Sequence, residues 1–406
     1  MAPSMPDAFW LECRACAARR PAGSVDYRCA ACGGELVVRY AGVGAVDNSQ
    51  PGMWRYRSRL PVTDDIAPVW LGEGGTPLVP LTGPTAEATG AQVSVKCEHL
   101  GPTGSFKDRI AAVAATLARH RGLRGLAGTS SGNGGAAAAA YATRAGLPLQ
   151  LFALSGVPAE KLAQLRALGA RVAVVEGVGY DAATTEATAR AVAERSAAAG
   201  VFPFLTGGRF SPEAMEGAKT IAYEVLEQDP DVTAIYAPVG GGGLLAALGR
   251  ALQELRSTGV RIPRLVAVQP SGCATLAPAL AGDPSGLTGP VTSAISGLQV
   301  GILFDPTGAP EAVRGTGGHL VEVDDDDIYR AQELLVRENG VLVEPAGATA
   351  FAGLIADARA GRVTAGERAV VIATGAGFKD GRALQRLAGD ADVPHIGLDG
   401  LEQYLP

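Results

Sequence analysis

The sequence predicts an α/β protein built on parallel sheets, and three observations predict it. From Leu149 onward, short apolar runs alternate with longer helical stretches: a strand at 149–154, a helix at 158–168, a strand at 171–175 and a helix at 181–198. This is the rhythm of βαβ units, whose crossover helices place successive strands parallel. Apolar runs at 125–129 and 232–239 also end in glycine-bearing turns where a helix begins. Composition agrees: 47% hydrophobic residues with only 5% aromatics and 55 glycines suits many tight turns between strands and helices.

At 406 residues the chain is long enough for two or three domains with a large buried core. Its net charge of −6 makes no electrostatic case for nucleic acid or a membrane surface. Small polar metabolites are the expected partners. No run approaches the roughly 20 apolar residues of a membrane helix, and the first residues lack the features of a signal peptide. The expected location is cytoplasmic.

Taken in order, the chain opens on Cys13-x-x-Cys16, twelve residues, then Cys29-x-x-Cys32, the spacing of a zinc ribbon. Four thiolates would close a tetrahedral site with no open position, so such a metal is structural. A redox-active or vestigial set of cysteines, or an interaction module, is the alternative. A short strand follows at 35–40. Residues 41–68, with Trp54, look irregular, and Glu73-Gly74-Gly75-Thr76-Pro77-Leu78 is turn chemistry before a short strand.

A strand at 93–97 leads into Gly101-Pro102-Thr103-Gly104-Ser105-Phe106-Lys107-Asp108-Arg109. The helix it opens carries Ile110, Val113, Ala114 and Leu117 on one face. Lys107 falls in the first turn, where the helix dipole opposes a positive charge by about 0.3–1 kcal/mol. An amine with lowered proton affinity suits Schiff-base chemistry. From this stretch alone, a solvated lysine at a helix start remains equally open.

The strand at 125–129 breaks at Ser130-Ser131-Gly132-Asn133-Gly134-Gly135 before an alanine-rich helix at 136–145. Backbone N–H groups at such a start bind anions, although Ser and Asn are also ordinary caps. Residues 202–210 read as a glycine-bearing return, followed by a helix at 213–226. The strand at 232–239 runs into Gly240-Gly241-Gly242-Gly243 and a helix from Leu244. Four glycines between strand and helix let main-chain amides close around one phosphate group. The pattern is neither G-x-G-x-x-G nor a P-loop, which disfavours a nucleotide. Further strands are expected at 264–269, 319–323 and 369–373, with a loop-rich stretch between 282 and 318. Cys97 and Cys273 read as small buried apolar groups.

The lysine stretch, Thr129-Ser130-Ser131-Gly132-Asn133, the tetraglycine and Thr374-Gly375-Ala376-Gly377-Phe378-Lys379-Asp380 occur in this order. Together they resemble the fold-type-II pyridoxal-phosphate (PLP) enzymes, and among those the threonine synthases, from about Cys13 to Asp380. The resemblance implies two doubly wound parallel-sheet domains behind the ribbon-like segment: 1–45 the ribbon, 46–99 with 201–406 a large PLP-binding domain, and 100–200 a small mobile domain. It also implies a homodimer.

By the same resemblance Lys107 is the catalytic lysine. Phe106, Asn133, Gly240, Gly241, Gly242, Gly243, Leu244, Glu344 and Thr374 contact PLP. Ser105, Arg109, Thr129, Ser130, Ser131 and Lys379 contact an amino-acid substrate, Arg109 and Lys379 being the cations for its phosphate. Cys13, Cys16, Cys29 and Cys32 hold zinc. The implied reaction converts O-phospho-L-homoserine and water to L-threonine and phosphate. Asn133 is followed by Gly134-Gly135 where those enzymes carry two hydroxyls, and Gly101 stands where they carry Asn. A β-elimination or β-replacement on serine, threonine or phosphoserine, similar to serine/threonine dehydratase or cysteate synthase, is therefore the alternative.

Overall fold

In the computed structural model, which describes residues 8–20, 26–130, 132–154, 157, 159–179, 181–283, 290–389 and 393–405, the strands pair into three sheets. The chain begins with β1 (Phe9–Cys13), β2 (Arg19–Arg20), β3 (Leu36–Tyr40), β4 (Leu78–Pro80), α1 (Pro84–Ala88) and β5 (Gln92–Lys96). It continues with α2 (Lys107–His120), β6 (Leu126–Gly128), α3 (Asn133–Ala145), β7 (Leu149–Leu154), α4 (Ala159–Ala167), β8 (Arg171–Val175), α5 (Ala182–Ala198) and β9 (Phe202–Phe204). Then come α6 (Pro212–Met215), α7 (Thr220–Gln228), β10 (Ala234–Pro238), α8 (Gly243–Ser257), β11 (Arg264–Pro270), α9 (Leu276–Leu280) and α10 (Gly308–Thr316). The last elements are β12 (Leu320–Val323), α11 (Asp325–Asn339), α12 (Pro345–Arg359), β13 (Arg368–Ile372) and α13 (Gly381–Ala388).

The largest sheet has the order β12-β11-β10-β13-β5-β4 and is parallel except for its edge strand β4. Every residue of the central β10 is buried, as helices on both faces require. Its side chains alternate between two cores. Ile235 and Ala237 pack with residues of α2, α7 and α8, whereas Ala234 and Tyr236 pack with residues of α11 and α12. The second sheet, β8-β7-β6-β9, is parallel throughout.

Three features depart from the sequence expectation. Residues 202–204 form β9, an edge strand of the second sheet, where the missing N–H of Pro203 is tolerated. The helix expected at 213–226 is broken into α6, a 3-10 turn at Glu216–Lys219 and α7. In that turn Gly217 meets α2 so closely that an added Cβ would lie 2.1 Å from the Arg109 carbonyl. The loop-rich stretch also contains α10, which packs on α8 through Gly249: a Cβ there would come within 2.3 Å of Ala312.

The small antiparallel sheet β2-β1-β3 buries Phe9, Leu11, Leu36 and Val38. It is tied to the body by the Tyr40 hydroxyl, which donates to Glu216 at 2.9 Å, and by the Arg14–Glu311 ion pair at 2.7 Å. Among the described residues no helix is long and apolar enough to cross a membrane.

Candidate active site

Three short segments from distant parts of the sequence lie side by side and place the site. The Phe106 N–H donates to the Thr374 carbonyl at 3.1 Å, and the Ala376 N–H donates to the Gly104 carbonyl at 2.9 Å. On the other flank, the Glu344 N–H donates to the Gly375 carbonyl at 2.9 Å. The loop before Lys107 is thereby fixed to the residues that follow β13, and these are in turn tied to Glu344 at the start of α12. Gly375 has to be glycine, because a Cβ there would fall 2.1 Å from Glu344 Oε1 and 2.8 Å from Asn133 Nδ2. Asn133, at the start of α3, donates to Glu344 Oε1 at 2.6 Å. Phe106, Ser105, Glu344 and Thr374 are all buried. The Ser105 hydroxyl has no hydrogen-bond partner among the described residues.

Lys107 begins α2 with its Nζ 4.2 Å from the centre of the Phe106 ring. Its Cδ passes 3.4 Å from where a Gly134 Cβ would stand. The glycine pair after Asn133 thus makes room for the lysine stem, and Gly135 for the Ser130 carbonyl, 2.4 Å from its added Cβ. Burial pushes the Lys107 amine down to about 8; the charge of Glu344 raises it and that of Lys379 lowers it further. The sequence assigned this loss of basicity to the helix dipole, whereas removal from water is the main cause. Burial raises the Glu344 carboxyl, with Lys379, Lys107 and Lys161 pulling it back.

The tetraglycine sits between β10 and α8. Gly242 adopts φ +86°, open mainly to glycine. A Cβ on Gly241 would strike the Phe304 ring at 2.7 Å, and one on Gly243 the Thr206 carbonyl at 2.7 Å. Among the described residues no side chain caps α8, and the N–H groups of residues 240–244 donate to no carbonyl outside the helix. They are available to an anion. Leu244 is buried behind them.

Of the expected substrate residues, Thr129 and Ser130 follow β6 as half-exposed groups, Ser130 Oγ accepting from the Gly135 N–H at 3.0 Å. Ser131 lies outside the described residues. Lys379 donates to the Thr103 carbonyl at 2.6 Å, and its charge acts on both Glu344 and Asp108. Arg109 does not reach the site. It is 1% exposed, pairs with Glu98 and Glu224 at 2.7 Å each, and also donates to Thr220 and Thr76. A guanidinium so satisfied has no donor left for a substrate phosphate. Lys161 of α4, which no motif in the sequence marks, joins the electrostatics of Glu344 instead.

The ribbon cysteines form a separate cluster. The sulfur of Cys32 lies 3.5 Å from that of Cys13 and 3.4 Å from that of Cys16, and Cys16 is 3.7 Å from Cys29. A tetrahedron of zinc–sulfur bonds of about 2.3 Å has edges of about 3.8 Å. The cluster can therefore hold a metal ion.

Residues 69–375 match the family described as pyridoxal-phosphate dependent enzyme. The chain belongs to that family. The Mycobacterium leprae protein named threonine synthase is 35% identical over 354 residues, which cover 86% of this chain and 94% of that protein. A Methanocaldococcus jannaschii protein of the same name is 33% identical, covering 92% of this chain and 94% of its own length. Among solved structures, the processed form of threonine deaminase isoform 2 from Solanum lycopersicum superposes with a TM-score of 0.66 at 24% identity, covering 86% of this chain and 92% of that one. Maize serine racemase superposes at 0.65 and 23%, covering 81% and 93%. These two likenesses show the fold, that of the fold-type-II PLP enzymes.

This threonine synthase-like, PLP-dependent lyase has groups that fit the cofactor: glycine amides that donate to no carbonyl outside the helix among the described residues, a lysine of lowered basicity and a buried hydroxyl at Thr374, just past β13. Only the free amine attacks an aldehyde. Because the folded value lies below the ordinary 10.5, the reactive fraction of Lys107 grows about tenfold per pH unit up to about 8 and then levels off. The rate at which apoenzyme acquires its visible absorbance after mixing with PLP should follow that curve. A plateau reached only near the ordinary lysine value would contradict it.

Proposed function

We propose that this enzyme converts O-phospho-L-homoserine and water to L-threonine and phosphate. The observation that carries it is the gathering of Lys107, Lys379 and Lys161 about Glu344, in a chain whose relatives named threonine synthase match it over most of both lengths. In this reading Lys107 anchors PLP, the N–H groups of residues 240–244 hold its phosphate, and Phe106, Asn133, Glu344 and Thr374 surround its ring. When bound, PLP supplies an electron sink that makes the protons at Cα and Cβ of the substrate acidic. Thr374 offers a hydroxyl rather than a carboxylate, which tempers that sink. Thr129, Ser130 and Ser131 hold the substrate carboxylate, and Ser105 lines the same wall. Lys107, released as a neutral amine, would take the Cα proton; a Cβ proton would leave as the Cγ–O bond to phosphate breaks, Cγ would gain a proton to become the methyl group, and Cα would regain its proton after water has added to Cβ. Lys379 faces the departing phosphate.

Phosphate release from O-phospho-L-homoserine with L-threonine formed in equal amount is the expected result. Pyruvate from serine, or 2-oxobutyrate from threonine, with no phosphate release would favour the rival β-elimination. The burial of Arg109 favours that rival, since it leaves the phosphate to lysines alone.

The reading includes a structural zinc at Cys13, Cys16, Cys29 and Cys32, supported by their clustered sulfurs. Purified protein should carry one zinc per chain, and Cys29→Ser should lose most of it; equal metal in both would overturn the assignment. A homodimer in the cytoplasm completes the proposal, and light scattering in solution tests the stoichiometry.

A further inference from the structure

The chain contains only five lysines among its 35 cationic residues. Lys96 and Lys219 are fully buried in ion pairs with Glu224, and with Glu216 and Glu254. The other three, Lys107, Lys379 and Lys161, all act on the carboxyl of Glu344. Surface positive charge is left to arginine, so each lysine has a particular place. Lysine differs from arginine as a compact ammonium on a flexible stem, able to swing between partners.

Lys161 is placed to swing. It lies on α4, the crossover helix between β7 and β8 of the four-stranded sheet. Leu165, one turn along on the same face, packs over Gly135 of the Asn133 turn, 3.1 Å from where that glycine's Cβ would be. Lys161 Nζ crosses to the other half of the molecule and donates to Ser296 Oγ at 3.0 Å. The segment after Ser296 walls the cleft: the Gly297 carbonyl is 3.2 Å from an added Gly240 Cβ, and Gly297 also adjoins Ala346 of α12. Lys161 thus stands between the Asn133 turn, the phosphate cradle and the Glu344 end of α12. Among the described residues its hydrogen-bond partner is a neutral hydroxyl and no carboxylate pairs with it. An ammonium in that position can be captured by a stronger acceptor.

We propose that Lys161 is a specificity-determining residue that leaves Ser296 to bind the distal phosphate of the amino-acid substrate, closing α4 over the cleft opposite Lys379. The inference rests on the proposed function for the identity of the substrate, and it supplies the second cation that Arg109 does not.

The test uses purified holoenzyme as wild type, Lys161→Gln, Lys161→Arg and Ser296→Ala. Dissociation constants for O-phospho-L-serine and for L-serine are read from the change in the cofactor's visible absorbance. A charge-assisted contact with phosphate corresponds to roughly 10–100-fold in affinity. Lys161→Gln should weaken the phosphorylated ligand by that factor while leaving L-serine within about twofold, as a purely anion-directed contact requires. Lys161→Arg should keep most of the preference, and Ser296→Ala all of it. With O-phospho-L-homoserine, KM should rise and kcat change little. Equal weakening of both serine ligands, or of neither, would overturn the proposal. The first of these would make Lys161 a structural latch to Ser296, which Ser296→Ala would then reproduce. If Lys161→Gln is unstable, Lys161→Met supplies the same ratio. A wild type that forms no threonine would defeat the proposed function alone, because the ratio of the two serine ligands still decides the role of Lys161.

Discussion

Lys107→Ala should lower kcat by at least about a thousandfold and abolish the visible band that borohydride bleaches. Removal of a positioned general base alone costs roughly 10²–10⁴-fold, and in the proposed reading the same amine also anchors the cofactor. The fold should survive. Lys107 starts α2, where alanine is an excellent helix former, and its Nζ makes no ion pair among the described residues. Absorbance of the PLP-loaded variant, its borohydride response and its steady-state rate are the measurements. A variant that keeps a tenth of the activity, or a bleachable band of normal intensity, would remove Lys107 from the chemistry.

Arg109→Ala should cost about 3–5 kcal/mol of stability, the usual result of removing one partner from a buried ion network. Glu98 and Glu224 would be left as buried carboxylates, with Lys96 the remaining cation at 2.7 Å from Glu224. Burial by itself would raise the Glu224 carboxyl, but Arg109 and Lys96 hold it at about 2, below the ordinary 4.5. A depressed carboxylate contributes stability above its unfolded value, and that stability is lost as pH falls through the folded one. Wild-type protein should therefore lose stability between about pH 4.5 and about pH 2, and Arg109→Ala should lose less of it there because it has less to lose. The denaturant midpoint of the apoprotein across that range is the measurement. In the fraction that stays folded, KM should remain near the wild-type value. A large rise in KM with an unchanged midpoint would return Arg109 to the substrate site.

The contrast between Lys107 and Arg109 shows what was legible. Both belong to one nine-residue stretch, and the sequence supports the first as the amine that begins a helix. Arg109 stands two positions on, which turns it about 200° around the helix and away from Lys107. That rotation was itself a signal, because groups two apart do not share a face. Glu98 and Glu224, the partners that claim Arg109, lie 11 and 115 residues away in sequence. Lys161 was hidden for a related reason: nothing beside it in sequence marks it. The scarcity of lysine in the whole chain was the available clue. At residues 202–204 the local signals of Pro203 and the glycines that follow were outweighed by the burial of Phe202 and Phe204 against β6.

The sequence by itself determined the alternation of strands and helices, the cysteine spacing, the lysine at a helix start and the glycine run between strand and helix. Each of these is a property of neighbouring residues, fixed by backbone propensity and local periodicity. Tertiary structure alone decided which cations are consumed in buried ion pairs, as Arg109, Lys96 and Lys219 are. A charged side chain takes its role from the carboxylates and carbonyls that packing brings within about 3 Å, and those come from segments far apart along the chain.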